Sequence, residues 1–136
     1  MVSAVRSVTP DHILHLGDGA SDATALHAQF PHIPLQAVRG NCDFGGTFPL
    51  LNGLDIAGKH IVMTHGHRYG VKSGYAGLIR MGQEMDADIL LFGHTHIAHY
   101  EELDGMHILN PGPACAGYGL IQIKDGEISC ALIAPL

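Results

Sequence analysis

LFGHTH, Leu91–His96, is an apolar run that stops at a glycine and two histidines. The preceding Ile89–Phe92 predicts a short buried strand, so the polar cluster falls at the strand's C-terminal end. Three other stretches repeat the design: LHLGD (Leu14–Asp18), VRGNCD (Val38–Asp43) and VMTHGH (Val62–His67). In layered α/β folds, sites gather at the C-terminal ends of strands. A glycine there lets the backbone turn sharply and aims the neighbouring polar side chain. Four such ends converging would place Asp18, Asn41, His65, His94 and His96 together.

Working outward, Met1–Val8 predicts the last turns of a helix, broken at Thr9-Pro10-Asp11. His12–Leu16 predicts a strand, Ser21–Phe30 a helix with a serine N-cap, and Leu35–Val38 a further strand. Leu50–Ile56 and Lys59–Thr64 flank Ala57-Gly58, a hairpin pattern. Gly74–Met85 carries Leu78, Ile79, Met81 and Met85 at helical spacing. From Ala98 onward the chain predicts strands at Tyr100–Leu103, His107–Leu109, Leu120–Ile123 and Ile128–Ile133, with turns at Asp104-Gly105 and Asp125-Gly126. Strand and helix alternate first, then strands dominate, which predicts an α/β layered domain. At 136 residues the chain fits one domain, 1–136.

Composition narrows the function. Seven basic against 13 acidic residues give a net charge of −6. Arg6, Arg39, Lys59, Arg68, Lys72, Arg80 and Lys124 are scattered, so no basic stripe for a nucleic-acid backbone is expected. Phosphate chemistry would have to rest on a metal ion. The cysteines, Cys42, Cys115 and Cys130, are odd in number and lack CxxC spacing, which argues against a disulfide framework or zinc knuckle and for a reducing, cytoplasmic compartment. No signal-peptide pattern opens the chain, and no apolar run reaches about 18 residues.

Asp, Asn and His at separate strand ends form an oxygen and nitrogen donor set, suited to Mn²⁺, Fe²⁺, Zn²⁺ or Ni²⁺. Two such ions can clamp a phosphoryl group and activate water. His12, His15, His27, His32, His60, His99 and His107 read as structural or surface residues. Cys42 shows no nucleophile–base arrangement. Asn110-Pro111-Gly112 reads as a turn shaping the site.

GD (Gly17-Asp18), GNCD (Gly40–Asp43), HGH (His65–His67) and GHTH (Gly93–His96), in that order, resemble the signature of the calcineurin-like metallophosphoesterases. The cysteine in GNCD, the THGH and the NPG at Asn110–Gly112 are similar to the YfcE-like phosphodiesterase branch. The resemblance implies a layered αββα sandwich and hydrolysis of a small phosphodiester by metal-activated water. It implies that Asp18 bridges two metals, that Asn41, His65 and His94 complete one metal position, and that His96 belongs to the other. Manganese is the expected metal. His67 would contact phosphate or a metal ligand, and Asp43 would orient a neighbouring group. The family also includes a retromer subunit that uses this fold as a protein-binding scaffold, the alternative function.

The chain departs from the family at three points. Family members begin with a strand ending in Asp-x-His, and no such motif precedes Asp18. His12 and His15 lie within the strand leading to Asp18 and cannot replace it. The expectation is a sandwich missing its first strand and most of its first helix, with unpaired sheet edges and a mononuclear site. Cys42 stands where many members carry a histidine, and Pro113 where a serine is usual. No membrane partner is expected, and a homo-oligomer stays open.

Overall fold

A computed structural model describes residues 2–18, 20–40, 48–113 and 117–133. The element order is α1 (Val2–Val8), β1 (Ile13–His15), α2 (Ala20–Gln29), β2 (Leu35–Ala37), β3 (Leu51–Ile56), β4 (Lys59–Thr64), α3 (Ala76–Glu84), β5 (Ile89–Leu91), β6 (His99–Leu103), β7 (Met106–Asn110), β8 (Tyr118–Lys124) and β9 (Glu127–Ile133). A single 3₁₀ turn, His67–Tyr69, follows β4. It interrupts a stretch to which the sequence pattern assigned no element.

β4, β5 and β7 lie side by side, parallel, at the centre of a five-stranded sheet ordered β3-β4-β5-β7-β6. Central strands are covered on both faces, so they read as continuous apolar runs rather than alternating ones. Ile89, Leu90 and Leu91 are all buried, as are all five residues of β7. β3 and β6 flank this core as antiparallel edges. Each hairpin turns through two residues with positive φ: Ala57-Gly58, Asp104-Gly105 and Asp125-Gly126. That pairing matches the twist of the strands it joins.

Each face of the sheet has its own core. On one face, Val62, Leu90, Phe92, Met106 and Ile108 pack with Leu78 of α3. On the other, Ile61, Met63, Ile89, Leu91 and Leu109 receive Leu14 from β1 and Leu16 just after it, and Ile121, Ile123 and Ile128 from the β8–β9 hairpin. The parallel pair β1–β2 in turn carries α1 and α2 on its outer side, through Ile13 and Leu35 against Val5, Leu26 and Ile33. The layers therefore run α, β, β, α, as the family resemblance implied.

β1 and the β8–β9 hairpin rest on the same face of the central sheet. A cavity of about 1780 Å³ lies between them, with Leu14 on one wall, Leu120 on the other, and Ile61, Leu91 and Leu109 on its floor. Among the described strands, β1 pairs with β2 alone and β8 with β9 alone. No described helix is long and apolar enough to cross a membrane.

Candidate metal centre

The parallel strands β4, β5 and β7 end at one edge of the sheet, and β1 delivers its own C-terminal end to the same place. His65 directly follows β4. Gly93 donates its backbone N–H to the His65 carbonyl at 2.9 Å, which ties the loop after β5 to the end of β4. His94 thereby comes to face His65. Its Nδ1 lies 3.2 Å from His65 Nε2. Asp18 Oδ2 lies 3.1 Å from the same His65 Nε2. One oxygen and two imidazole nitrogens, from Asp18, His65 and His94, lie within 4.8 Å of one another.

His65 is held hard. It is 2% exposed, and its Nδ1–H donates to the Leu16 carbonyl at 2.7 Å. With the proton on Nδ1, the Nε2 lone pair points at Asp18 and His94. This is the arrangement a metal-binding histidine needs: one ring nitrogen anchored, the other turned toward the remaining donors. Gly17 permits the approach of Asp18. Its φ is +102°, and a Cβ there would meet His65 Nδ1 at 2.7 Å and the Gly40 nitrogen at 2.9 Å. Asp18, His94 and His96 also have positive φ, at 56°, 68° and 60°. Such backbone is costly for residues other than glycine and clusters at functional sites.

Asn110, at the end of β7, fixes the loop that carries His94. It is 1% exposed. Its Nδ2 donates to the Gly93 carbonyl at 3.3 Å and to Thr95 Oγ1 at 2.9 Å. Its Oδ1 accepts the Gly112 N–H at 2.9 Å. The Asn-Pro-Gly turn thus shapes the site, as the sequence suggested, and the asparagine side chain performs the task. The Leu16 carbonyl has an equal part in the site, but a backbone acceptor leaves no mark in a sequence.

His67 stands beside the three donors, with ring centroids 5.5 Å from His65 and 6.1 Å from His94. Its buried Nδ1 has no hydrogen-bond partner among the described residues. Burial, reinforced by the neighbouring His65, pushes the pKa of both His67 and His94 below the ordinary histidine value, while Asp18 opposes the shift. Both rings are therefore held toward the neutral state in which histidine can ligate or hydrogen-bond.

Of the residues singled out in the sequence, Asp18, His65 and His94 come together, with His67 alongside. His96 does not join them: it is exposed and lines the cavity next to the group. Its positive φ and the reversal after His94 turn it outward. Asn41 and Asp43 lie outside the described residues.

The donor set fits a divalent ion, being one carboxylate oxygen and two imidazole nitrogens with no thiolate among them. The description of the calcineurin-like phosphoesterase superfamily domain matches residues 1–131. This chain belongs to that superfamily. It is 37% identical over 103 residues to the probable metallophosphoesterase YsnB of Bacillus subtilis, a match covering 75% of this chain and 58% of that protein. It is 32% identical over 111 residues to the vacuolar protein sorting-associated protein 29 of Schizosaccharomyces pombe, covering 80% of this chain and 59% of the other. The chain thus spans under two thirds of the length of both relatives. A crystal structure of a predicted phosphoesterase from Streptococcus pneumoniae superimposes with a TM-score of 0.82 at 22% identity, over 97% of this chain and 79% of the other. The superfamily implies a divalent metal, and Asp18, His65 and His94 are the described residues that would hold it.

Proposed function

We propose that this metallophosphoesterase hydrolyses a small phosphodiester, with manganese as the working metal at Asp18, His65 and His94. The observation that carries the proposal is the meeting of Asp18 Oδ2 and His94 Nδ1 at His65 Nε2, with the His65 ring locked from behind by the Leu16 carbonyl. A bound divalent ion would supply Lewis acidity toward a phosphoryl oxygen and lower the pKa of water.

The chain's own groups have separable tasks. Asp18 supplies the negative charge that holds a cation. His65 and His94 supply neutral nitrogen donors. His67, with its unpartnered Nδ1, is the group set to hydrogen-bond a non-bridging phosphate oxygen. Asn41 is proposed as a further ligand, His96 as a ligand to a second ion, and Asp43 as an orienting carboxylate. A diester carries a single negative charge, which suits a chain with no concentrated patch of lysine or arginine. The lack of any CxxC spacing among the three cysteines suits a cytoplasmic setting.

The test is hydrolysis of bis-p-nitrophenyl phosphate with Mn²⁺, compared between the chain and its Asp18→Ala variant. Turnover that needs the metal and vanishes in the variant supports the proposal. A chain that binds Mn²⁺ but leaves the diester intact would contradict it. That result would favour the scaffold role suggested by the relative named for vacuolar protein sorting.

A further inference from the structure

A second group of metal-ligating atoms lies outside the phosphoesterase site, at the edge where β6 and β7 meet the β8–β9 hairpin. Tyr100 Oη is 2.7 Å from His107 Nδ1. Cys130 Sγ is 4.0 Å from the same nitrogen. The Tyr100 oxygen and the Cys130 sulfur therefore both approach one nitrogen, His107 Nδ1. The pairing of strands explains the meeting. Glu102 stands opposite His107 across β6 and β7, Tyr100 shares the Glu102 face two residues away, and Cys130 comes down on that face from β9.

From these distances we infer that Tyr100, His107 and Cys130 form a binding site for a zinc-like divalent ion, distinct from the Asp18 centre. Zinc bond lengths of about 2.0 Å to nitrogen or oxygen and 2.3 Å to sulfur, at a tetrahedral angle, put nitrogen and sulfur ligands about 3.6 Å apart. They put nitrogen and oxygen ligands about 3.3 Å apart. The observed 4.0 and 2.7 Å need side-chain shifts of roughly half an ångström to comply.

On the far side of His107, Nε2 lies 3.7 Å from the Glu102 carboxylate, a neighbouring negative charge. His107 itself is 9% exposed, so its ring cannot wander. Tyr100 is 39% exposed, which leaves an entry path from solvent. A sulfur donor beside nitrogen and oxygen favours zinc or cobalt over magnesium, calcium or manganese. The two centres would therefore take different metals.

A catalytic thiol is the rival use of the same atoms, and the surroundings of the sulfur oppose it. Burial raises the Cys130 pKa, and the Glu102 charge adds to the shift, although the Tyr100 hydrogen bond lowers it. A reactive cysteine needs a lowered pKa. A metal ion instead displaces the thiol proton outright.

Co²⁺ is the probe, because thiolate ligation gives a sulfur-to-cobalt charge-transfer band in the near ultraviolet. Titration of the whole chain should produce that band, and Zn²⁺ should abolish it by displacement. Cys130→Ser should remove the band, while His107→Ala and Tyr100→Phe should each weaken Co²⁺ binding at least tenfold. His94→Ala should leave the band in place. Far-ultraviolet circular dichroism of each variant establishes that it is folded, and Tyr100→Phe is the mild substitution should the others unfold. No band at saturating Co²⁺ would overturn the inference. So would a band that survives Cys130→Ser, since the thiolate would then be Cys42 or Cys115. A band indifferent to both His107→Ala and Tyr100→Phe would overturn it as well.

Discussion

His65 and Leu16 are 49 residues apart in sequence, and a 2.7 Å hydrogen bond from His65 Nδ1–H to the Leu16 carbonyl joins them. The bond links the end of β4 in the central sheet to the end of β1 in the layer above. It also decides which nitrogen of His65 faces Asp18 and His94. One contact therefore serves packing between layers and the tautomer at the metal centre.

His65→Ala should lose on both counts. The half-buried Leu16 carbonyl would lose its donor, at a cost of about 0.5–1.5 kcal/mol. Urea unfolding would register that loss, and Mn²⁺ affinity would fall with the missing ligand. Unchanged stability in the variant would mean the bond to Leu16 does not link the layers.

Asn110→Ala should act at a distance from the metal. Three hydrogen bonds to Gly93, Thr95 and Gly112 disappear from a buried site. The expected destabilisation is about 1–3 kcal/mol. Released from Asn110, the loop would hold His94 less firmly, and metal affinity should fall roughly 10- to 100-fold. Calorimetric titration checks the second effect; affinity equal to wild type would show that Asn110 only stabilises the turn.

Gly17→Ala should be costly for one added carbon. The backbone there has φ +102°, and the Cβ would press on His65 Nδ1. Strain of about 1–3 kcal/mol is expected from the backbone alone. The methyl group would also push the His65 ring from Leu16. A thermal melt within a degree of wild type would contradict this.

The metal-free protein should lose stability as pH falls. Burial lowers the folded-state pKa of His67 and His94 below 6.5, whereas in the unfolded chain both titrate near 6.5. Between the two values the unfolded state binds more protons, so stability rises with pH. The contribution is fully present above about 6.5, drains away as pH drops below it, and levels off beneath the folded-state pKa. Urea midpoints in chelator-treated samples from pH 8 to 5 would show the slope. The His67→Gln/His94→Gln double variant should flatten it.

Much of this was legible in the sequence, for definite reasons. The runs ending in Gly17-Asp18, His65-Gly66 and Gly93-His94 showed both the buried strands and the residues at their ends. Asp104-Gly105 and Asp125-Gly126 showed their hairpins because few other pairs accept two positive φ values. The rest depended on layers meeting. Nothing local marks Leu16 as the anchor of His65, since the anchor is a backbone oxygen. Nor does anything local mark the meeting of Tyr100 and Cys130 with His107, which depends on strand pairing and the seating of β9. His96, which the resemblance gives to a different metal position from His94, lies apart from the Asp18–His65–His94 group.

The central claim is that Asp18, His65 and His94 hold a divalent metal, and Mn²⁺ binding followed by electron paramagnetic resonance tests it most directly. Bound Mn²⁺ loses the sharp signal of the free ion, so titrating the wild-type chain beside Asp18→Ala and His94→Ala counts occupied sites. Wild type should quench the signal, and each variant should leave it at the level of free Mn²⁺. Equal quenching by all three proteins, or none by wild type, would contradict it.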